Sequence, residues 1–78
     1  MQQKTEHHPA FEEYCECIFE LEEDHVELIQ ARIADRLKFS RASVSEMIKR
    51  MEIEGLVSLS GPRIALTKTG RELAEGIV

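Results

Sequence analysis

The stretch Gln30-Ala31-Arg32-Ile33-Ala34-Asp35-Arg36-Leu37-Lys38-Phe39-Ser40-Arg41-Ala42-Ser43-Val44-Ser45-Glu46-Met47-Ile48-Lys49-Arg50-Met51 reads as two short amphipathic helices joined by a tight turn. Ile33, Leu37, Val44, Ile48 and Met51 recur at helical spacing and face one shared core. Small Ala34 sits where the two helices must cross closely. The second of them opens on a serine and leaves polar side chains outward. These are the physical requirements of a helix-turn-helix, whose second helix enters the major groove of DNA.

Upstream, Pro9 suits the first turn of a helix, and Phe11, Tyr14, Cys15, Ile18 and Leu21 follow at helical spacing. A helix is therefore predicted over residues 9–23, with Glu12, Glu13, Glu16, Glu20 and Glu23 off the buried stripe and Asp24-His25 ending it. The next helix is predicted over 28–37, burying Leu28, Ile33, Ala34 and Leu37. Ser40 caps a third helix running to about Glu54, where Gly55 supplies the left-handed residue that stops it. Leu56–Ser60 and Arg63–Thr67 flank a Gly61-Pro62 turn and read as a β-hairpin. Thr67 or Thr69 caps a last helix from about Lys68, with Leu73, Ala74 and Ile77 apolar. Its pattern still runs at Val78, so continuation in a longer parent protein is expected. The fold class is mainly α with a small β-hairpin, a winged helix-turn-helix over residues 9–78. Residues 1–8 are polar and expected to be flexible.

The net charge of −5 hides a segregation. Residues 1–27 hold nine acidic side chains and one basic one, whereas residues 28–71 hold nine basic against four acidic. A polyanion responds to the local field rather than to the whole-chain sum, so the acidic balance does not exclude DNA. The phosphate-contact candidates are Gln30, Arg32, Arg36, Lys38, Arg41, Lys49 and Arg50, with Arg63 at the hairpin tip reaching a minor groove or its flanking phosphate. On the third helix Ser43 and Ser45 suit several bases, Ala42 a thymine methyl, and Glu46 a cytosine amino group. Long bidentate donors are missing there, so backbone contacts and DNA shape are expected to supply much of the specificity.

Seventy-eight residues form one small domain, which buries only about 60% of its unfolded surface and is marginal alone. No apolar run approaches membrane-spanning length and the N-terminus lacks a signal-peptide core, so a reduced, cytoplasmic protein without membrane contact is expected. Cys15 and Cys17 cannot bridge each other on one helix. Cys15 reads as a core filler and Cys17 as a partly exposed neighbour. His7, His8 and His25 read as surface residues. No nucleophile–base pair, phosphate loop or closed metal set suggests an enzyme.

Tyr14, Ile18-Phe19-Glu20-Leu21-Glu22-Glu23, Ala31-Arg32-Ile33-Ala34-Asp35-Arg36-Leu37, Ser43-Val44-Ser45, Glu54-Gly55-Leu56-Val57 and Leu66-Thr67-Lys68-Thr69-Gly70-Arg71 together resemble the diphtheria toxin repressor family, the iron- and manganese-dependent repressors. The resemblance spans Phe11 to Val78 and the family's N-terminal DNA-binding domain. It implies a homodimer that binds palindromic operators in double-stranded DNA when Mn(II) or Fe(II) is loaded, repressing metal-homeostasis genes. It places DNA contacts at Gln30 and Ala31, at Ser40, Ala42, Ser43, Ser45 and Glu46, and at Arg63. Arg41 and Ala42 depart from the Gly and Pro common in that turn, and Glu46 is acidic where relatives often differ.

The resemblance also implies metal ligation by Glu13 and Glu16, which are three apart and share a helix face. Carboxylate oxygens suit Mn(II) and Fe(II). Glu13 leans towards the manganese branch, because the iron branch carries a methionine there. Two carboxylates cannot complete six-coordination, so further ligands are expected beyond Val78 and metal binding by these residues alone is expected to be weak or absent. Two alternatives stay open: a winged-helix regulator controlled by a small molecule or by redox, and a winged-helix protein-interaction module.

Overall fold

Residues 9–76 are described by the structure, a computed structural model. Six elements follow in the order α1 (Pro9–Glu23), α2 (Gln30–Leu37), α3 (Arg41–Ile53), β1 (Val57–Ser60), β2 (Arg63–Leu66) and α4 (Lys68–Glu75). This is a winged helix-turn-helix. Phe11, Tyr14, Ile18 and Leu21 of α1 meet Ile33 and Ala34 of α2, Val44, Ile48 and Met51 of α3, and Leu56, Val57 and Ile64 of the hairpin in one core.

Local chemistry fixes where the elements end. At the close of α1, His25 adopts a left-handed φ of 60°, and the Val26 N–H reaches back to the Leu21 carbonyl at 2.9 Å. Lys38 takes a left-handed conformation after α2 and makes the turn of the helix-turn-helix. Ser40 then starts α3: its Oγ accepts the Ser43 N–H at 3.1 Å, as its residue type suggested. Gly55 ends the helix with a φ of 80°, and the Leu56 N–H donates to the Met51 carbonyl at 2.9 Å.

The strands pair antiparallel with Ser60 opposite Arg63, leaving Gly61-Pro62 as a two-residue turn. Gly61 has a φ of 60°, which a side chain would resist, and Pro62 follows with its own φ fixed by its ring. Of the two candidate caps for the last helix, Thr67 is the one used. Its Oγ1 accepts the Gly70 N–H at 3.0 Å and donates to the Gly55 carbonyl at 2.6 Å, tying α4 to the end of α3.

Four expectations are corrected. The second helix begins at Gln30, not residue 28, because the Leu28 carbonyl accepts the Ile64 N–H of β2 at 2.9 Å and is held extended against the wing. Leu28 and Leu37 are half-buried, packed against the core rather than inside it. Cys17 is only 3% exposed, not partly exposed, because α1 packs against α2, α4 and β2 together and buries a broader arc than one stripe. The final helix closes at Glu75, where Gly76 turns left-handed with a φ of 77°. Ile77, Val78 and the 1–8 segment, including His7 and His8, lie outside the described residues.

Candidate nucleic-acid interface

The buried side of α3 is Val44, Ile48 and Met51, so the row Ala42, Glu46, Lys49 and Ile53 points the opposite way. All four are exposed, Ile53 by 83%. Ser45 and Arg41, one turn apart, form one flank of that row; Ser43 and Arg50 form the other. Ser40 and Ser43 also share a hydroxyl–hydroxyl bond of 3.0 Å. After Arg41, the first turn of α3 carries the small side chains of Ala42 and Ser43, which leave its backbone approachable.

Gln30 and Ala31 at the start of α2 and Arg41 at the start of α3 line one cleft with Ile29, Leu59, Gly61, Pro62 and Ile64. The tip of the wing and the openings of both helices thus converge. A helix opening carries partial positive charge from its unpaired N–H groups, so this convergence suits an anionic strand. On the other flank Ser43 lies beside Tyr14, Lys38, Phe39 and Met47. Phe39 is 40% exposed and its ring stacks on Tyr14 at 5.9 Å, fixing the turn against α1. Ser43 and Ser45 therefore serve opposite edges of the helix. Arg63 sits next to the wing tip but on the hairpin's outer face with Ser58 and Ser60, beside Glu22, His25 and Glu27.

The cations divide into two classes. Arg36 reaches Glu20 of α1 at 3.6 Å and Asp24, just past its end, at 3.5 Å, and Arg32 reaches Asp35 at 3.4 Å. Arg71, which the sequence reading left without a role, pairs with Glu22 at 3.1 Å and lies over the Phe19 ring. No ion pair within the described residues engages Lys38, Arg41, Lys49, Arg50 or Arg63. These five are available to phosphates, while Arg36 is engaged in holding α2 to α1. The wing-tip residues Leu59, Gly61 and Pro62 were not singled out as site residues; their turn signal was visible, but not the cleft they close.

Glu13 and Glu16 are exposed on α1, away from its buried arc, and neither has an ion-pair partner among the described residues. Their oxygens suit a hard divalent cation, and a two-ligand contribution fits that chemistry. Among the described residues no group of three or more His, Cys, Asp or Glu side chains is placed to hold a metal ion. The two thiols do not extend the set. Burial, with Glu12 and Glu16 adding to it, pushes Cys15 up to about 12. Burial also raises Cys17 to about 11 against the opposing pull of Arg36.

A family model described as iron dependent repressor, N-terminal DNA binding domain, matches residues 8–65. The chain belongs to this family. Over 68 residues it is 44% identical to the diphtheria toxin repressor of Corynebacterium diphtheriae, covering 86% of this chain and 30% of that protein. It is 43% identical to the iron-dependent repressor IdeR of Mycobacterium tuberculosis over the same shares. Among solved structures, that of the manganese regulator SloR superposes with a TM-score of 0.72 at 35% identity, over 87% of this chain and 32% of the other. The chain thus spans about a third of the length of the relatives it matches. Their names describe repressors and regulators, one set tied to iron and one to manganese. No helix among the described residues is long and apolar enough to cross a membrane.

Proposed function

We propose that this chain is the DNA-binding part of a metal-dependent transcriptional repressor of metal-homeostasis genes, acting in the cytoplasm as a homodimer on a palindromic operator. The observation that carries the reading is the convergence of Gln30, Ala31, Arg41 and the wing tip on one cleft, beside a recognition helix whose cations have no ion-pair partner among the described residues. Arg41, Lys49 and Arg50 neutralise phosphates; Ala42, Ser45 and Glu46 face base edges; Ser43 and Arg63 serve the margins. Ser40 has a positioning role, because its cap holds the first turn of α3 in register.

Glu13 and Glu16 are the residues that would contribute to Mn(II) or Fe(II). When bound, the ion supplies positive charge to an otherwise self-repelling acidic helix. These residues' part is to offer, on one face, two carboxylates without an ion-pair partner among the described residues. Redox control is the weaker reading, since both thiols are buried and protonated.

The test is titration of a fluorescent duplex with the chain at two salt concentrations. Binding that weakens steeply with salt is expected; binding that is absent or indifferent to salt overturns the DNA reading in favour of a protein-interaction module. For the metal, weak Mn(II) binding followed by electron paramagnetic resonance should vanish when Glu13→Gln and Glu16→Gln are combined. Persistence of the same signal in that double variant overturns the ligand assignment.

A further inference from the structure

We infer that Glu46 is a base-selecting residue that favours cytosine at one fixed position of each half-site. The inference rests on the reading of α3 as the groove helix and adds to it the chemistry of a single contact. Glu46 lies in the middle of the exposed row of α3, one turn after Ala42, whose methyl group leaves the approach open. Lys49 and Arg50 are three and four residues on, the spacing at which helix ion pairs form, yet neither pairs with it. Among the described residues the carboxylate therefore has no ion-pair partner of its own to give up.

Three environments await it there. A phosphate repels it, which keeps the residue over the base edges rather than the backbone. Guanine and thymine present acceptors in the major groove, and a carboxylate set against them loses its water without gaining a donor. Adenine and cytosine both offer an amino group. Adenine sets the N7 acceptor beside it, which repels the second carboxylate oxygen; cytosine has only a C–H there. Cytosine is the base that satisfies Glu46 without a penalty. One charge-assisted contact of this kind discriminates by at least about fivefold.

Glu46→Gln changes the preferred partner, because an amide donates to N7 and accepts from the amino group of adenine together. Glu46→Ala removes the contact without replacing it. The experiment is selection of bound sites from a randomised duplex library by the wild-type chain and both variants, followed by anisotropy titration of the recovered site with each base at the affected position. Expected are a cytosine preference of at least about fivefold in the wild type, its transfer to adenine in Glu46→Gln, and its loss in Glu46→Ala. An identical base preference in all three proteins overturns the inference. So does a uniform gain in affinity for every duplex in both variants, which would mean that Glu46 merely repels the backbone. Absence of salt-dependent duplex binding by the wild type sinks the DNA reading itself, a separate and recognisable failure.

Discussion

Cys15 and Cys17 are two residues apart on α1, about 200° around the helix, yet both lie inside the core. Their burial is possible because α1 is packed from several sides at once. A thiol in such surroundings resists ionisation, and Cys15 and Cys17 are held near 12 and 11 against an ordinary value of 9.0. A raised folded-state value means that the folded chain keeps the proton longer than the unfolded one. The resulting stability is complete below pH 9 and is lost as pH climbs through 11 to 12. Urea midpoints should therefore fall steadily above pH 9, and the Cys15→Ala, Cys17→Ala double variant should fall less steeply. Iodoacetamide at pH 8 should leave both thiols unmodified until urea unfolds the chain. Rapid labelling of the native protein would contradict their burial and revive redox control.

At the scale of elements, the arginines and lysines divide into those paired with carboxylates and those without an ion-pair partner among the described residues. Arg36 joins α2 to Glu20 of α1 and to Asp24 just past its end while remaining 38% exposed, so solvent screening limits its worth to about 0.5–1 kcal/mol. Arg36→Ala should lower the unfolding free energy by about that amount and leave the salt dependence of duplex binding unchanged. Lys49→Ala should do the reverse, with unaltered stability and a log–log salt slope shallower by about 1. A shallower slope in Arg36→Ala would mean that its ion pairs open to admit a phosphate. The sequence showed Arg36 as one more cation of the positive segment, because nothing local links it to Glu20 and Asp24. What was legible was local: the Ser40 cap, the Gly55 stop, the Gly61-Pro62 turn and the apolar spacing of α3 each depend on neighbours a few residues away. The start of α2 was misplaced because Leu28 is claimed by Ile64, thirty-six positions later. The candidate site divides in the same way. Its residue types could be read from the sequence, but the cleft that joins Gln30, Arg41 and the wing could not.

For the whole molecule, charge segregation makes folding and binding respond to salt in opposite directions. Along α1, Glu12 and Glu16, and Glu16 and Glu20, are each four apart, and each like-charge pair costs about 0.2–0.5 kcal/mol. Arg36 and Arg71 relieve the C-terminal part of this repulsion through Glu20, Asp24 and Glu22. Within the described residues no cation pairs with Glu12, Glu13 or Glu16, so added salt screens a net repulsion there and should raise the urea midpoint. On the proposed function Arg41, Lys49, Arg50 and Arg63, which have no ion-pair partner among the described residues, act on the polyanion instead. Four released counterions give a slope near −3.6, so affinity for duplex should fall roughly a hundredfold between 50 and 200 mM salt. Both quantities can be measured on one preparation. A midpoint that falls with salt would show that ion pairs outweigh the repulsion along α1. An affinity that holds constant would show that the free cations of α3 and the wing do not face DNA.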